Sequence, residues 1–198
     1  MSIKEELSMA LNILRKYNMP ISPILEYAIN EAIQHEKIVS TLPSVDSNIQ
    51  VIQSYEELFA NLSVGSLKGK KLPHKAVLLL AIIDLIETQV ISQNIISLDS
   101  DVLSAFNRKW KSFFTMKIPS VWIPFWYMKG EKFWHFKALN NDSELNAVMN
   151  FAGHPSIGQM KQVIKYAYLD EELFSLLNNK KEREHLSNIL IKTYIEQF

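Results

Sequence analysis

Cysteine is absent from the 198 residues. That excludes disulfides, thiolate metal sites and a thiol nucleophile, and fits a reducing compartment such as the cytoplasm. Long apolar runs are also missing. The longest, Ala76–Ile83, stops at Asp84, well short of the ~20 residues that span a bilayer, and reads as a buried helix. The start Met1-Ser2-Ile3-Lys4-Glu5-Glu6 is acidic and polar and reads as no secretory signal. Histidines are few and scattered: His35, His154 and His185 are isolated, with no metal-ligand spacing between any pair. There is no Gly-x-Ser-x-Gly elbow, no P-loop and no dinucleotide glycine pattern. An Asp or Glu followed two residues later by Lys, the tail of one common nuclease signature, occurs nowhere. No enzyme, cofactor or membrane partner is expected of this chain.

What is present is an ordinary globular composition, 47% hydrophobic, enough to bury a core. The zero net charge hides an asymmetry. Residues 1–64 carry 4 basic and 8 acidic side chains, residues 65–137 carry 11 and 5, and residues 138–198 carry 6 and 8. The central excess is the footprint expected of a phosphate-contacting surface.

Along the chain, Leu7, Leu11 and Leu14 have helical spacing, and the pattern resumes over Pro20–Val39 after Asn18-Met19-Pro20. Residues 1–50 are therefore expected as an N-terminal helical hairpin, a candidate for docking a partner, with Ser40–Asn48 as linker. Residues 51–198 form the second expected domain. Its helices are placed at Val51–Leu62, Lys75–Val90, Ser100–Phe113 capped by Asp99 or Ser100, Ser143–Phe151, Glu171–Leu177 and Lys181–Ile195. Strands are placed at Ile95–Leu98 and Val163–Tyr168, and Ser63–Leu72 reads as a mobile loop. The fold class is α+β, mostly helical, with a small sheet.

Two segments carry the chemistry. In Lys70-Lys71-Leu72-Pro73-His74-Lys75, Pro73 disfavours helix at Leu72 and favours a helix start just after it. The first-turn N–H groups and the neighbouring lysines then make a seat for a phosphate. The second segment, Val121-Trp122-Ile123-Pro124-Phe125-Trp126-Tyr127-Met128, is followed by Lys129-Gly130 and Phe133-Trp134-His135-Phe136-Lys137. Its two halves flank a Lys-Gly turn and read as a Trp-rich β-hairpin with Pro124 at an edge or bulge.

In order and spacing, Pro73-His74-Lys75 with Ala76–Leu80, Ile123-Pro124-Phe125, Lys132–Phe136 and Tyr168–Leu177 resemble the DNA sulfur-binding domain of McrA-like HNH restriction endonucleases. The resemblance spans about Tyr55–Phe198. It implies a DNA-binding module that recognises phosphorothioate-modified double-stranded DNA in restriction-type defence. The paired histidines of an HNH nuclease are missing, so a separate nuclease or effector would be recruited. In the family the helix-start pair contacts the backbone at the modified step, which assigns phosphate contacts to His74 and Lys75. A proline and its neighbours line the sulfur pocket, which points to Ile123, Pro124 and Tyr127. Ile123 stands where the family carries tyrosine, and Tyr127 where a smaller residue is common. Lys71, Arg108 and Lys129 complete the candidate DNA-binding set.

The chemical logic is that sulfur in place of a phosphate oxygen is larger, softer and less well hydrated. An apolar dent accepts it, whereas an ordinary oxygen pushed into the same dent loses hydration without gaining a partner. Two other readings stay open: an adaptor that uses the N-terminal hairpin to bind a protein, and a DNA binder without sulfur preference. Trp122, Trp126, Trp134 and Phe136 are expected mainly as core. His135 either approaches DNA or makes a partly buried hydrogen bond.

Overall fold

The computed structural model describes residues 45–150 and 153–198. The expected N-terminal hairpin lies outside the described residues. From Val51 to Phe198 the chain forms one compact unit, and it is mostly helical with two small antiparallel sheets.

The first described helix, α1 (Val45–Ala60), begins inside the stretch expected as linker. A two-stranded hairpin follows, β1 (Ser66–Leu67) and β2 (Lys70–Lys71), with Leu67 opposite Lys70. The two turn residues, Lys68 and Gly69, have φ of 51° and 79°. That left-handed pair is the geometry that matches a tight turn to strand twist, and glycine at the second position makes it cheap. The segment read as a mobile loop is therefore an ordered hairpin, closed at its base by Leu72 N–H donating to Gly65 O at 2.8 Å.

Helix α2 (His74–Glu87) is the centre of the core. Eleven of its residues are buried, because apolar side chains occupy every face of the helix and every face is packed. It ends where Thr88 folds its hydroxyl back on Asp84 O and Gln89 turns left-handed at φ 59°. Helix α3 (Ser100–Phe113) runs as expected, with Asp99 Oδ1 accepting from the N–H groups of Asp101 and Val102. Its amphipathic spacing puts Val102, Ala105, Phe106 and Trp110 against the core.

The largest departure from expectation falls on Val121–Met128. It is not a strand. Trp122–Tyr127 is a short helix, α4, continued by a 3-10 turn over Met128–Gly130. Pro124 sits in the first turn of α4, where its missing N–H costs nothing. Pro124, Phe125, Trp126 and Met128 are all buried, so consecutive residues find apolar contacts that a two-faced hairpin strand could not give. Tertiary burial overrides the strand preference of Trp, Ile and Phe.

The other half of the expected hairpin is a strand, β3 (Trp134–Ala138), but its partner is β4 (Ile164–Leu169), paired antiparallel with Trp134 opposite Leu169. Between them lie α5 (Asp142–Met149) and α6 (Ile157–Val163), the latter opened by a capping box between Ser156 and Gln159. On its other edge β4 is bridged at Ala167 by Ile96, and the Asn94 carboxamide pairs with both backbone groups of Leu169. Helices α7 (Glu171–Asn178) and α8 (Lys180–Leu190) close the unit, ending in a wide π turn over Ile191–Ile195. The buried Tyr194 hydroxyl accepts the Leu62 N–H at 2.7 Å, which ties the chain's last turn to the end of α1; burial holds that phenol protonated, with its pKa pushed up to about 12.

Candidate functional site

Three pieces of backbone meet around one cavity of about 310 Å³: the base of the β1–β2 hairpin, the first turn of α2 and the outer face of α4. Its lining is Ser63, Val64, Gly65 and Leu72 from the hairpin base, His74 and Lys75 from α2, and Ile123, Pro124 and Tyr127 from α4. Each piece has a local reason to be there. Gly65 lets the hairpin base close, since a Cβ at that position would stand 3.2 Å from Leu72 Cδ1. Pro73, itself in helical conformation at φ −84° and ψ −3°, precedes the first residue of α2 rather than occupying it, and its carbonyl accepts the Val77 N–H. No side chain caps this helix start. Helix α4 turns Ile123, Pro124 and Tyr127 toward one side by the three-to-four-residue repeat of a helix, a grouping that a strand would have split between two faces.

The cavity brings together five of the sequence-derived candidates: His74, Lys75, Ile123, Pro124 and Tyr127. Its apolar wall is Val64, Leu72, Ile123 and Pro124. Tyr127 is 41% exposed and stands at the rim.

The charge at this site differs from the expected cationic clamp. Lys75 is 5% exposed and Glu131 is 7% exposed, and the Lys75 ammonium donates to Glu131 Oε1 in a short buried ion pair. The same Oε1 accepts the backbone N–H of Ser63 at 3.1 Å. The pair adds no net charge to the cavity, so Lys75 is not an exposed phosphate anchor in this conformation. A carboxylate 56 residues further along the chain was the missing signal: the only acidic residue between Asp101 and Lys137 is Glu131, and a lone acid in a basic stretch asks for a partner.

His74 packs its ring on Trp110, centroids 5.1 Å apart. Burial lowers its imidazole pKa below the usual range, so the ring is neutral at pH 7 and acts through hydrogen bonding rather than charge.

The remaining basic candidates are spent on structure or lie elsewhere. Lys71 donates to Ala60 O at 3.1 Å, satisfying the C-terminal end of α1, and its ammonium lies 5.3 Å from the Tyr194 ring centroid. Lys129 donates to Met149 O at 2.6 Å, at the C-terminal end of α5, and stands 4.2 Å over the Trp126 ring. Burial lowers the pKa of that ammonium as well. Arg108 is exposed on α3 and does not line the cavity. Lys68 and Lys70 are exposed on the hairpin whose base lines the cavity, though neither lines it. Lys70 lies 5.3 Å from the Phe198 ring centroid. The Lys-Gly dipeptide between Leu67 and Lys70 was the signal for this hairpin, weaker than Asn-Gly because lysine resists positive φ.

The tryptophans are core. Trp110, Trp126 and Trp134 are 2%, 0% and 3% exposed, which removes them as base-stacking platforms; Trp122 is half-buried against the His154 ring. His135 makes the partly buried hydrogen bond: its Nε2 is 2.6 Å from Asp170 Oδ1, while Tyr55 donates to Asp170 Oδ2 at 3.0 Å. Burial first, and the Asp170 carboxylate second, raise the Tyr55 pKa. Asp170, at the N-cap position of α7, thus spends its side chain on cross-links rather than on that helix's N-terminus. A second cavity of about 280 Å³ lies under β4, floored by Phe125, Met160 and Leu98 with Lys161 and Lys165 at its edge; it contains none of the candidate residues. Among the described residues no cluster of three or more His, Asp or Glu is placed to hold a metal ion, and no helix is long and apolar enough to cross a membrane.

No protein-family model and no curated protein sequence matches the chain.

Proposed function

We propose that the Val51–Phe198 unit is a DNA-binding module that accepts a phosphorothioate linkage of double-stranded DNA in the cavity between α2 and α4. One observation carries the reading. Ile123, Pro124 and Tyr127, which the resemblance to sulfur-binding domains assigns to the pocket, line one cavity with His74 and Lys75, which it assigns to the backbone contact. Those five residues come from two segments far apart in sequence.

In this reading Ile123, Pro124, Val64 and Leu72 surround the sulfur with apolar surface. The neutral His74 imidazole donates a hydrogen bond to a neighbouring backbone oxygen. Lys68 and Lys70 meet phosphates beside the modified step, and Tyr127 stands at the mouth. The chain then acts as a targeting or sensing subunit, with strand cleavage supplied by a separate nuclease or effector.

The test is direct comparison of matched duplexes that differ only in the sulfur, at moderate salt. Tighter binding of the sulfur-containing duplex is expected, and Pro124→Ala should remove mainly that preference. Equal affinity of the native chain for both duplexes would leave a sequence-tolerant DNA binder, and no binding to either would remove the DNA reading altogether.

A further inference from the structure

A cavity that lodges part of an anionic backbone would ordinarily present an uncompensated cation. This one contains a lysine and cancels it. Glu131 is not a lining residue, yet it holds the Lys75 ammonium from behind the wall, and its Oε1 is fixed by the N–H of Ser63, a lining residue on the opposite piece of backbone. Both partners are more than nine-tenths buried. Replacing such a pair by apolar residues of similar size is often neutral or stabilising, so stability gives no reason to prefer this arrangement. Its effect on ligand choice does.

We propose that Glu131 is a specificity-determining positioning residue, which neutralises Lys75 so that the cavity rejects an ordinary phosphate oxygen. The proposal rests on the reading above and extends it. An oxygen entering the cavity would give up its hydration and find a cation already satisfied. It would therefore be penalised. A sulfur atom, holding its water weakly, loses less and gains apolar contact. Without the Glu131 charge, Lys75 would be a desolvated cation facing the cavity, and any phosphate would be welcome there. Charge-assisted hydrogen bonds are the stronger class, so the gain falls mainly on the oxygen ligand that lacked one.

The experiment compares the native protein with Glu131→Gln and with the double variant K75M/E131Q. Glu131→Gln should bind the unmodified duplex roughly tenfold more tightly, the scale of one charged hydrogen bond. Its affinity for the sulfur-containing duplex should change much less, so the ratio between them contracts. The double variant has lost the cation with its counter-charge and should recover a ratio near the native one. Uniform weakening of both duplexes by Glu131→Gln, or a double variant that behaves like Glu131→Gln, would overturn the proposal.

A readout independent of DNA separates this proposal from the one on which it rests. Inorganic phosphate should raise the melting temperature of Glu131→Gln more than that of the double variant, which controls for the general stabilising effect of the salt. Should Glu131→Gln be unfolded in plain buffer, phosphate should refold it, followed by circular dichroism. If the native chain shows no sulfur preference while phosphate still protects Glu131→Gln selectively, the sulfur reading fails and the charge-cancelling role of Glu131 stands. If phosphate protects the two variants alike, Glu131 is structural only and the proposal falls, whatever the duplexes show.

Discussion

Lys75, which lines the cavity, and the hairpin lysines Lys68 and Lys70 come from one short basic stretch, but they occupy opposite electrostatic environments. Lys75 is buried and cancelled by Glu131; Lys68 and Lys70 are exposed on a tight hairpin. Positive charge counted along a sequence is therefore a different quantity from positive charge offered to a ligand. In the low-dielectric interior a charge must be paired, and pairing withdraws it from the surface field. On the hairpin, water screens the charge and the ammonium stays available.

The comparison predicts a wide gap in stability between the two regions. Glu131→Ala strands a buried ammonium and should cost about 3–5 kcal/mol, read as a lower urea midpoint with unchanged slope. Replacing both partners, as in K75M/E131M, should recover most of that loss. If Glu131→Ala behaved like a surface substitution, the distinction between the regions would be gone.

Lys129 tests an intermediate case. Its ammonium serves the last carbonyl of α5 and covers Trp126, so Lys129→Ala should destabilise by about 1–2 kcal/mol while leaving DNA affinity of the folded fraction unchanged. The reverse pattern, intact stability with weakened binding, would return Lys129 to the DNA-contacting set.

His74 sharpens the comparison through pH. Burial lowers its folded-state pKa below the ordinary 6.5, so the unfolded chain takes up the proton more readily than the folded one. Its contribution is undiminished above pH 6.5 and is lost as the pH falls below that value toward the lowered folded one. His135 and His185 also face carboxylates, Asp170 and Glu56, so the relevant quantity is a difference between His74→Phe and the native protein. The stability of His74→Phe should decline less steeply with acidification than that of the native protein. Parallel curves would mean that His74 is not held neutral by its packing against Trp110.

How far the residues announced this arrangement varies with how local the deciding interaction is. Asp99 capping α3 and the apolar block of α2 were readable because a cap and a continuous buried run are properties of a few consecutive residues. The strand at Trp134–Ala138 was readable for the same reason, but its partner was not. The Lys129-Gly130 turn pointed to the preceding aromatic segment, whereas the pairing that forms joins β3 to β4 across two intervening helices. Trp122–Tyr127 became helix because Pro124, Phe125 and Trp126 are buried in succession, and no pattern within six residues reports an environment. At the site, the grouping of His74 and Lys75 with Ile123, Pro124 and Tyr127 was legible through the ordered motifs. Glu131 was not, since its placement depends on the long-range contact to Ser63, and the hairpin wall was missed because its Lys68-Gly69 turn is a weaker signal than Asn-Gly.

The smallest stability effect, and the sharpest separation of the two regions, belongs to the hairpin. Lys68→Ala and Lys70→Ala should each stay within about 0.5 kcal/mol of the native stability, because the turn geometry resides in Gly69 and the strand pairing in the backbone. Their binding signature should be distinct: a uniform loss for duplexes with and without sulfur, and a salt slope shallower by about 1 for each cation removed. Glu131→Gln should leave the slope steeper or unchanged and alter the sulfur-to-oxygen ratio instead. One class of change then moves affinity without selectivity, and the other moves selectivity. If Lys68→Ala and Lys70→Ala left both slope and affinity untouched, the exposed hairpin would carry no phosphates, and the attraction of DNA to this face would have to come from cations elsewhere, with Arg108 and Lys111 on α3 the next to be replaced.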